Sequence, residues 1–282
     1  MPAAALGLTC LAALVALDWF AVHTVRGRVL DGRSLRGAQL TGSRSTRAVE
    51  QVLDVVSVSS ILAAVGVVLG VALVRRRRTL GVAAVVLLAG ANITTQLLKH
   101  IVLSRPSLGL IEPAAATANS LPSGHVTVVF SVAVALVLVL PAALRVPAAT
   151  AGVLLTLATS IATMTAGWHR ASDAIAACLV VGLWTAAVLP AIQTRDGASA
   201  RPAAGGGTRS LAALLACGAL LAGALLIAAP TSRNTAVLLA AYAAGGLLTG
   251  STAAAVMAAV LCLGRHAAGP ARRPADETSG TW

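Results

Sequence analysis

The chain has 282 residues, of which 57% are hydrophobic, 2% aromatic and 11% charged. A soluble domain of this size carries about a quarter charged residues, so composition excludes that class and leaves a membrane protein built of Ala, Leu and Val. The net charge of +12 is nearly all arginine, placed in short runs between apolar segments, which reads as juxtamembrane charge rather than a nucleic-acid surface.

A membrane-crossing helix needs about 20 apolar residues. Eight segments qualify in chain order: 3–22, 55–74, 80–102, 126–144, 148–167, 173–192, 210–229 and 235–263. The predicted fold class is therefore all-α, a polytopic membrane helical bundle. The first segment has no basic residue ahead of its apolar run, so a retained helix is expected rather than a cleaved signal. Residues 194–209 (TRDGASARPAAGGGTR) have no apolar period and read as a linker. The division that follows is a six-helix core over 1–193, a cytoplasmic linker over 194–209, an additional helix pair over 210–264 and a disordered cytoplasmic tail over 265–282. Within the last pair, Gly246-x-x-x-Gly250 is a helix-packing pattern that reads as close packing inside the bundle.

Orientation follows from the short connections. Eleven arginines lie in the even-numbered ones and the tail: Arg75 to Arg78, Arg145, Arg195, Arg201, Arg209, Arg265, Arg272 and Arg273. That side and both termini are assigned to the cytoplasm. The connection 23–54 opposes this, with six arginines on the side called external (Arg26, Arg28, Arg33, Arg36, Arg44, Arg47). Asp18 and Asp54 flank it and are candidates to pair with those arginines. The cysteines Cys10, Cys178, Cys217 and Cys262 all fall in apolar stretches without a CxxC or Cys/His cluster, so neither a metal site nor a disulfide framework is expected.

Polar residues are costly in such segments and mark sites. Asn92, Gln96 and Lys99, the sole lysine, share one face of the third segment. Taken alone, Lys99 reads equally as a lysine snorkelling to the interface. Thr156, Ser160 and Thr163 form a weaker stripe, because hydroxyls can bond to their own helix. The unusual clusters converge on one membrane face: Lys99-His100 and Arg105-Pro106 end the third segment, Pro122-Ser123-Gly124-His125 opens the fourth, and His169-Arg170-Ala171-Ser172-Asp173 joins the fifth to the sixth. Lysine, arginine, serine and two separated histidines on one surface point to an anion site with acid–base groups.

A helix N-terminus offers free N–H groups to an anion. Gly124 lets a phosphate approach the backbone and Ser123 adds a donor, although a plain turn with Ser123 as N-cap fits the four residues as well. His169 and Asp173 are four apart and face each other on a helical turn. A carboxylate on one imidazole nitrogen leaves the other free to attack, or the two make a structural pair. Arg105 suits bidentate binding of phosphate oxygens and Lys99 a point charge.

The three clusters together resemble the signature of the type 2 phosphatidic acid phosphatase superfamily, which also includes soluble acid phosphatases and vanadium haloperoxidases. The resemblance covers the first six segments, with motifs over 99–173. It implies that His169 attacks phosphorus, that Asp173 orients it, and that His125 protonates the leaving oxygen. It implies that Lys99, Arg105, Ser123 and the Gly124 amide hold the phosphoryl oxygens, with no metal or other cofactor.

Two departures stand out. Five residues rather than six separate Lys99 from Arg105-Pro106, and Ala162-Thr163 stand where the pattern has Ser-Arg. Arg170 is the candidate substitute for the missing arginine.

The expected function is an integral-membrane phosphatase of the cell membrane. It would hydrolyse a lipid phosphate or diphosphate, polyprenyl or phosphatidate-like, on the external leaflet through a phosphohistidine. The alternatives are a phosphotransferase that passes the group to a sugar or lipid hydroxyl, and a lipid-phosphate binding or transport protein with a weakened site. The expected partners are the lipid phosphate and the bilayer.

Overall fold

A computed structural model describes residues 3–42, 49, 51, 58–110, 119–195 and 234–264. Among them there is no strand, and the chain is an all-α bundle. The predicted segment 210–229, most of the linker, the tail, Asp54 and Cys217 lie outside the described residues.

In chain order the helices are α1 (Ala3–His23), α2 (Val25–Gly42), α3 (Val58–Val74) and α4 (Arg78–Leu97), then α5 (Gly124–Val139), α6 (Ala142–Thr165), α7 (Ala171–Arg195) and α8 (Thr235–Gly264). A π-helical turn, Leu98–Val102, extends α4. Five of these are long and apolar enough to cross a membrane: α1, α4 with its π-turn, α6, α7 and α8. The protein is a multi-pass membrane protein.

Two predicted spans are shorter than expected. The helix in the second is 17 residues long and α5 only 16. Ser123 starts α5 as its N-cap and the chain turns at Leu140-Pro141, so α6 opens at Ala142 instead of 148. Helix α5 is buried along most of its length, and a helix enclosed by its neighbours need not match the bilayer thickness.

Within the predicted connection 23–54, Val25–Gly42 is a helix. In α2 the buried positions include Arg28, Asp31, Ser34, Leu35 and Ala38, recurring at helical spacing, whereas Val25, Val29 and Leu40 face outward. Docking rather than apolar composition holds it, since the segment is rich in Gly and Arg. Asp18 lies 3.6 Å from His23, so it pairs with that histidine where an arginine was expected.

The segment assigned to an additional pair, α8, packs against α2, α5, α6 and α7. Gly246 and Gly250 meet Leu157 and Ile161 of α6 at ordinary contact distance, so the pattern serves packing within the bundle. The tighter approaches are elsewhere. A Cβ on Gly37 of α2 would stand 2.0 Å from the Leu238 carbonyl oxygen of α8, and one on Gly245 would stand 2.7 Å from the Ala171 Cβ of α7. Glycine lets α2 and the start of α7 press onto α8.

The polar termini segregate. Arg75 donates to the Val139 carbonyl at 2.5 Å and Arg145 to the Leu140 carbonyl at 3.0 Å. These arginines close the end of the bundle opposite the His169–Asp173 turn. Gly37→Ala is expected to cost about 1–3 kcal/mol through overpacking, read as a lower thermal unfolding midpoint in detergent; an unchanged midpoint would contradict the α2–α8 contact.

Candidate active site

The site begins where α6 ends. Gly167 takes a positive φ of 77°, a conformation that glycine adopts without penalty, and the chain reverses there. The Thr163 carbonyl then accepts from the backbone N–H groups of Trp168 at 3.0 Å and His169 at 3.3 Å. His169 is thereby suspended from the last turn of α6, and α7 starts two residues later.

The first turn of a helix has N–H groups without intrahelical partners. In α7 the Asp173 carboxylate turns back toward that end. Its Oδ2 accepts from the Arg170 backbone N–H at 2.9 Å and from the Ser120 hydroxyl at 2.6 Å, and lies 3.2 Å from His169 Nδ1. Asp173 is fully buried, and charge-assisted bonds of this kind offset the cost of burying a carboxylate. With Nδ1 facing the carboxylate, Nε2 is the ring nitrogen left to act outward.

A second helix start is joined to this one. The Ser123 backbone N–H donates to the Asp173 carbonyl at 2.9 Å. The Leu121–Pro122 peptide that leads into it is cis. Ser123 is buried and its hydroxyl accepts from the Val126 N–H at 3.5 Å, so it serves as the N-cap of α5. A Cβ built on Gly124 would meet only the Gln96 amide nitrogen, at 3.5 Å, which leaves the backbone there approachable. The His125 ring lies 5.6 Å from Trp168 and 6.1 Å from His169, centroid to centroid, edge toward face in the second pair.

The three cations differ in burial and partners. Lys99 sits half-buried in the π-turn, close enough to interact electrostatically with His125, and its carbonyl accepts from the Asn119 amide at 3.0 Å. Arg105 is half-buried in the segment beyond. Arg170 points inward: it is 2% exposed, and its guanidinium donates to Ser120 Oγ at 3.1 Å. Its position beside His169 gave no sign of that direction. Thr163 is buried with its hydroxyl bonded to the Thr159 and Ser160 carbonyls of its own helix.

The stripe on α4 is divided. Asn92 donates to the Ser131 hydroxyl of α5 at 3.3 Å, and Thr95 pairs with Thr127 at 2.9 Å. Gln96 and His100 are exposed. Asn92 and Lys99 both act on the helix that follows, Asn92 at Ser131 and Lys99 at His125. Among the described residues no group of three or more His, Cys, Asp or Glu side chains could hold a metal ion.

Residues 80–196 match the model of the PAP2 superfamily, the type 2 phosphatidic acid phosphatases. This part of the chain is similar to that superfamily. The matched stretch runs from α4 to α7 and contains all three polar clusters, while α1, α2, α3 and α8 lie outside it. No curated protein and no solved structure matches the chain.

Three residues bonded into this candidate site escape the sequence reading. Ser120 lies outside the Pro-Ser-Gly-His cluster, and nothing local marks it. The Thr163 carbonyl acts through the backbone, which side-chain identity does not report. Asp31, the third, did leave a signal: an acidic residue among arginines, in helical register with Arg28, Ser34 and Leu35.

Asp31 is buried, and that burial, with Asp173 nearby, pushes its carboxyl up to about 6, against the Ser172 hydrogen bonds and the Arg170 charge that lower it. A carboxyl raised in the fold contributes stability that is present below its ordinary 3.8 and lost as pH rises through about 6. Wild-type protein is therefore expected to lose thermal stability relative to Asp31→Asn as pH rises across that window. A difference independent of pH there would contradict the assignment.

Proposed function

We propose that the protein is a membrane phosphatase that hydrolyses a lipid phosphate or diphosphate through a phosphohistidine. The observation that carries this reading is the His169–Asp173 pair set opposite His125. One imidazole has its Nδ1 against a buried carboxylate and its Nε2 unclaimed by that bond, and the second imidazole stands 6.1 Å away by ring centroid. Near-attack contacts of about 3–3.5 Å on each side of a phosphoryl group add to a comparable span.

In the proposed reaction the Nε2 lone pair of His169 attacks phosphorus. The N–P bond forms as the P–O bond to the lipid breaks, and His125 gives its proton to the departing oxygen. Asp173 stabilises the charge that develops on the imidazole. Water then attacks phosphorus, passes a proton to His125 and breaks the N–P bond, releasing phosphate and restoring both histidines. Lys99, Arg105 and the N-terminus of α5 with Gly124 are suited to hold the equatorial oxygens. Ser123 is assigned to this group with its hydroxyl partly engaged as a cap.

Arg170 takes the part of the arginine absent at Thr163. Its buried guanidinium next to the nucleophile supports this, because a cation held in a water-poor pocket acts strongly on developing charge.

The site is assigned to the external face. Arg75 and Arg145 cap the opposite end of the bundle; they belong to the eleven arginines that outnumber the six of the connection 23–54 on the site's side, and the more basic side is the cytoplasmic one. A substrate phosphate at the membrane surface leaves its chain in lipid, in keeping with a polyprenyl or glycerolipid ester.

The test is phosphate release by purified protein in detergent, across polyprenyl, glycerolipid and soluble phosphates, with and without an added hydroxyl acceptor. His169→Ala is expected to abolish release, and Arg170→Ala to lower kcat/KM by about 10²–10³. Full activity in His169→Ala would overturn the mechanism. Phosphate appearing on the acceptor in place of free phosphate would identify a transferase.

A further inference from the structure

We propose that Asp31 is a positioning residue of the PAP2 site and that α2 is the strap that carries it. Asp31 lies outside the matched stretch, on the helix of the arginine-rich connection. Both of its oxygens are committed to one residue: the Ser172 backbone N–H donates to Oδ1 at 3.1 Å and the Ser172 hydroxyl to Oδ2 at 2.5 Å. Ser172 stands between Arg170 and Asp173, in the first turn of α7.

That turn has free N–H groups, and the structure supplies two carboxylates for them. Asp173 takes the N–H of Arg170 from within the helix, and Asp31 takes the N–H of Ser172 from another helix. A carboxylate at a helix N-terminus is favourable both as a cap and against the helix dipole. Here the cap comes from 141 residues away in the chain, so it fixes where α7 begins relative to α2, not merely how it begins.

The surroundings make this bond costly to place and strong once placed. Asp31 and Ser172 border an apolar cavity of about 300 Å³, lined by Leu17, Phe20, Leu30, Ile175 and Leu248. In such surroundings a hydrogen bond is stronger than in water and an unpaired carboxylate is heavily penalised. Packing alone would be met by an apolar residue at position 31, so a buried carboxylate there is explained by what it holds.

One turn earlier on the same buried face, Arg28 donates to the Pro106 carbonyl at 2.5 Å, next to Arg105, and to the Val22 carbonyl at 2.7 Å. A single rigid turn of α2 thus grips the segment carrying Arg105 and the segment carrying His169, Arg170 and Asp173. The close seat of α2 on α8 at Gly37 fixes the strap. Misplacement of reacting groups by about 1 Å can cost on the order of 10²-fold in rate, so releasing the Asp31 end should act on turnover more than on substrate capture.

The test uses the full-length protein in detergent, as wild type, Asp31→Ala, Asp31→Asn and Ser172→Ala. It reads kcat and KM on the best substrate of the phosphate panel, and amide hydrogen exchange in the peptide covering residues 167–176. For Asp31→Ala the expected result is kcat down about 10–100-fold with KM within about threefold, and faster exchange in that peptide. Asp31→Asn should recover most of both, because its amide oxygen can accept the Ser172 N–H while its nitrogen donates to the hydroxyl. Ser172→Ala, which loses only the hydroxyl bond, should move the same way by a smaller factor, and it keeps the proposal testable if Asp31→Ala does not fold.

Wild-type kcat in Asp31→Ala would overturn the proposal, whether or not exchange changes. The kinetic arm rests on the phosphatase reading and the exchange arm does not. If wild-type protein hydrolyses nothing in the panel, that reading fails, and unchanged exchange in Asp31→Ala still overturns the positioning role.

Discussion

The site depends on one buried oxygen. Asp173 Oδ2 collects the Ser120 hydroxyl, the Arg170 backbone N–H and the His169 ring, three groups on two stretches of chain about 50 residues apart. Asp173 Oδ1, equally buried, accepts no hydrogen bond from the described residues. A carboxylate taken out of water is expensive unless its bonds are made. The loop before α5 and the turn before α7 must therefore come together for the charge to be tolerated. The backbone bond from Ser123 N–H to the Asp173 carbonyl closes the same junction. The geometry of His169 is a consequence of this node, since its ring is tied to the same oxygen and its backbone to Thr163.

Around the node the bundle provides enclosure. Helix α5 is short and buried by its neighbours, while α8 seats α2 and the first turn of α7 through glycine contacts. Helices outside the PAP2 stretch thus support the ends of helices inside it. The network extends from Asp173 through Arg170 toward Asp31, which ties the surface helix α2 to the interior of the site.

Much of this was legible because polar residues are conspicuous in an apolar chain. The helical class, seven of the eight segments and the gathering of Pro122 to His125 with His169 to Asp173 follow from hydropathy and from charge left at one membrane face. What was not legible has physical reasons. Helix α2 is rich in Gly and Arg, so its helicity comes from docking and no local propensity announces it. The π-turn at Leu98–Val102 is set by backbone bonding, and nothing in the residues around it signals it. The direction of Arg170 is set by partners met only in three dimensions, Ser120 among them; a residue adjacent to His169 could equally have faced solvent. At Thr163 the side chain is satisfied within its own helix, and it is the carbonyl that holds the turn before the histidine, a role that any residue could fill.

The central claim is that His169 Nε2 is the attacking atom and that Arg170 supplies the charge missing at Thr163. The most direct measurement is an experimental structure of the protein with orthovanadate, an ion that takes up the five-coordinate geometry of a phosphoryl group under attack. The expected result is vanadium bonded to His169 Nε2, with His125 facing it from the opposite side and the Arg170 guanidinium on an equatorial oxygen. Vanadate seated away from His169, or bound there without contact to the Arg170 guanidinium, would contradict the account.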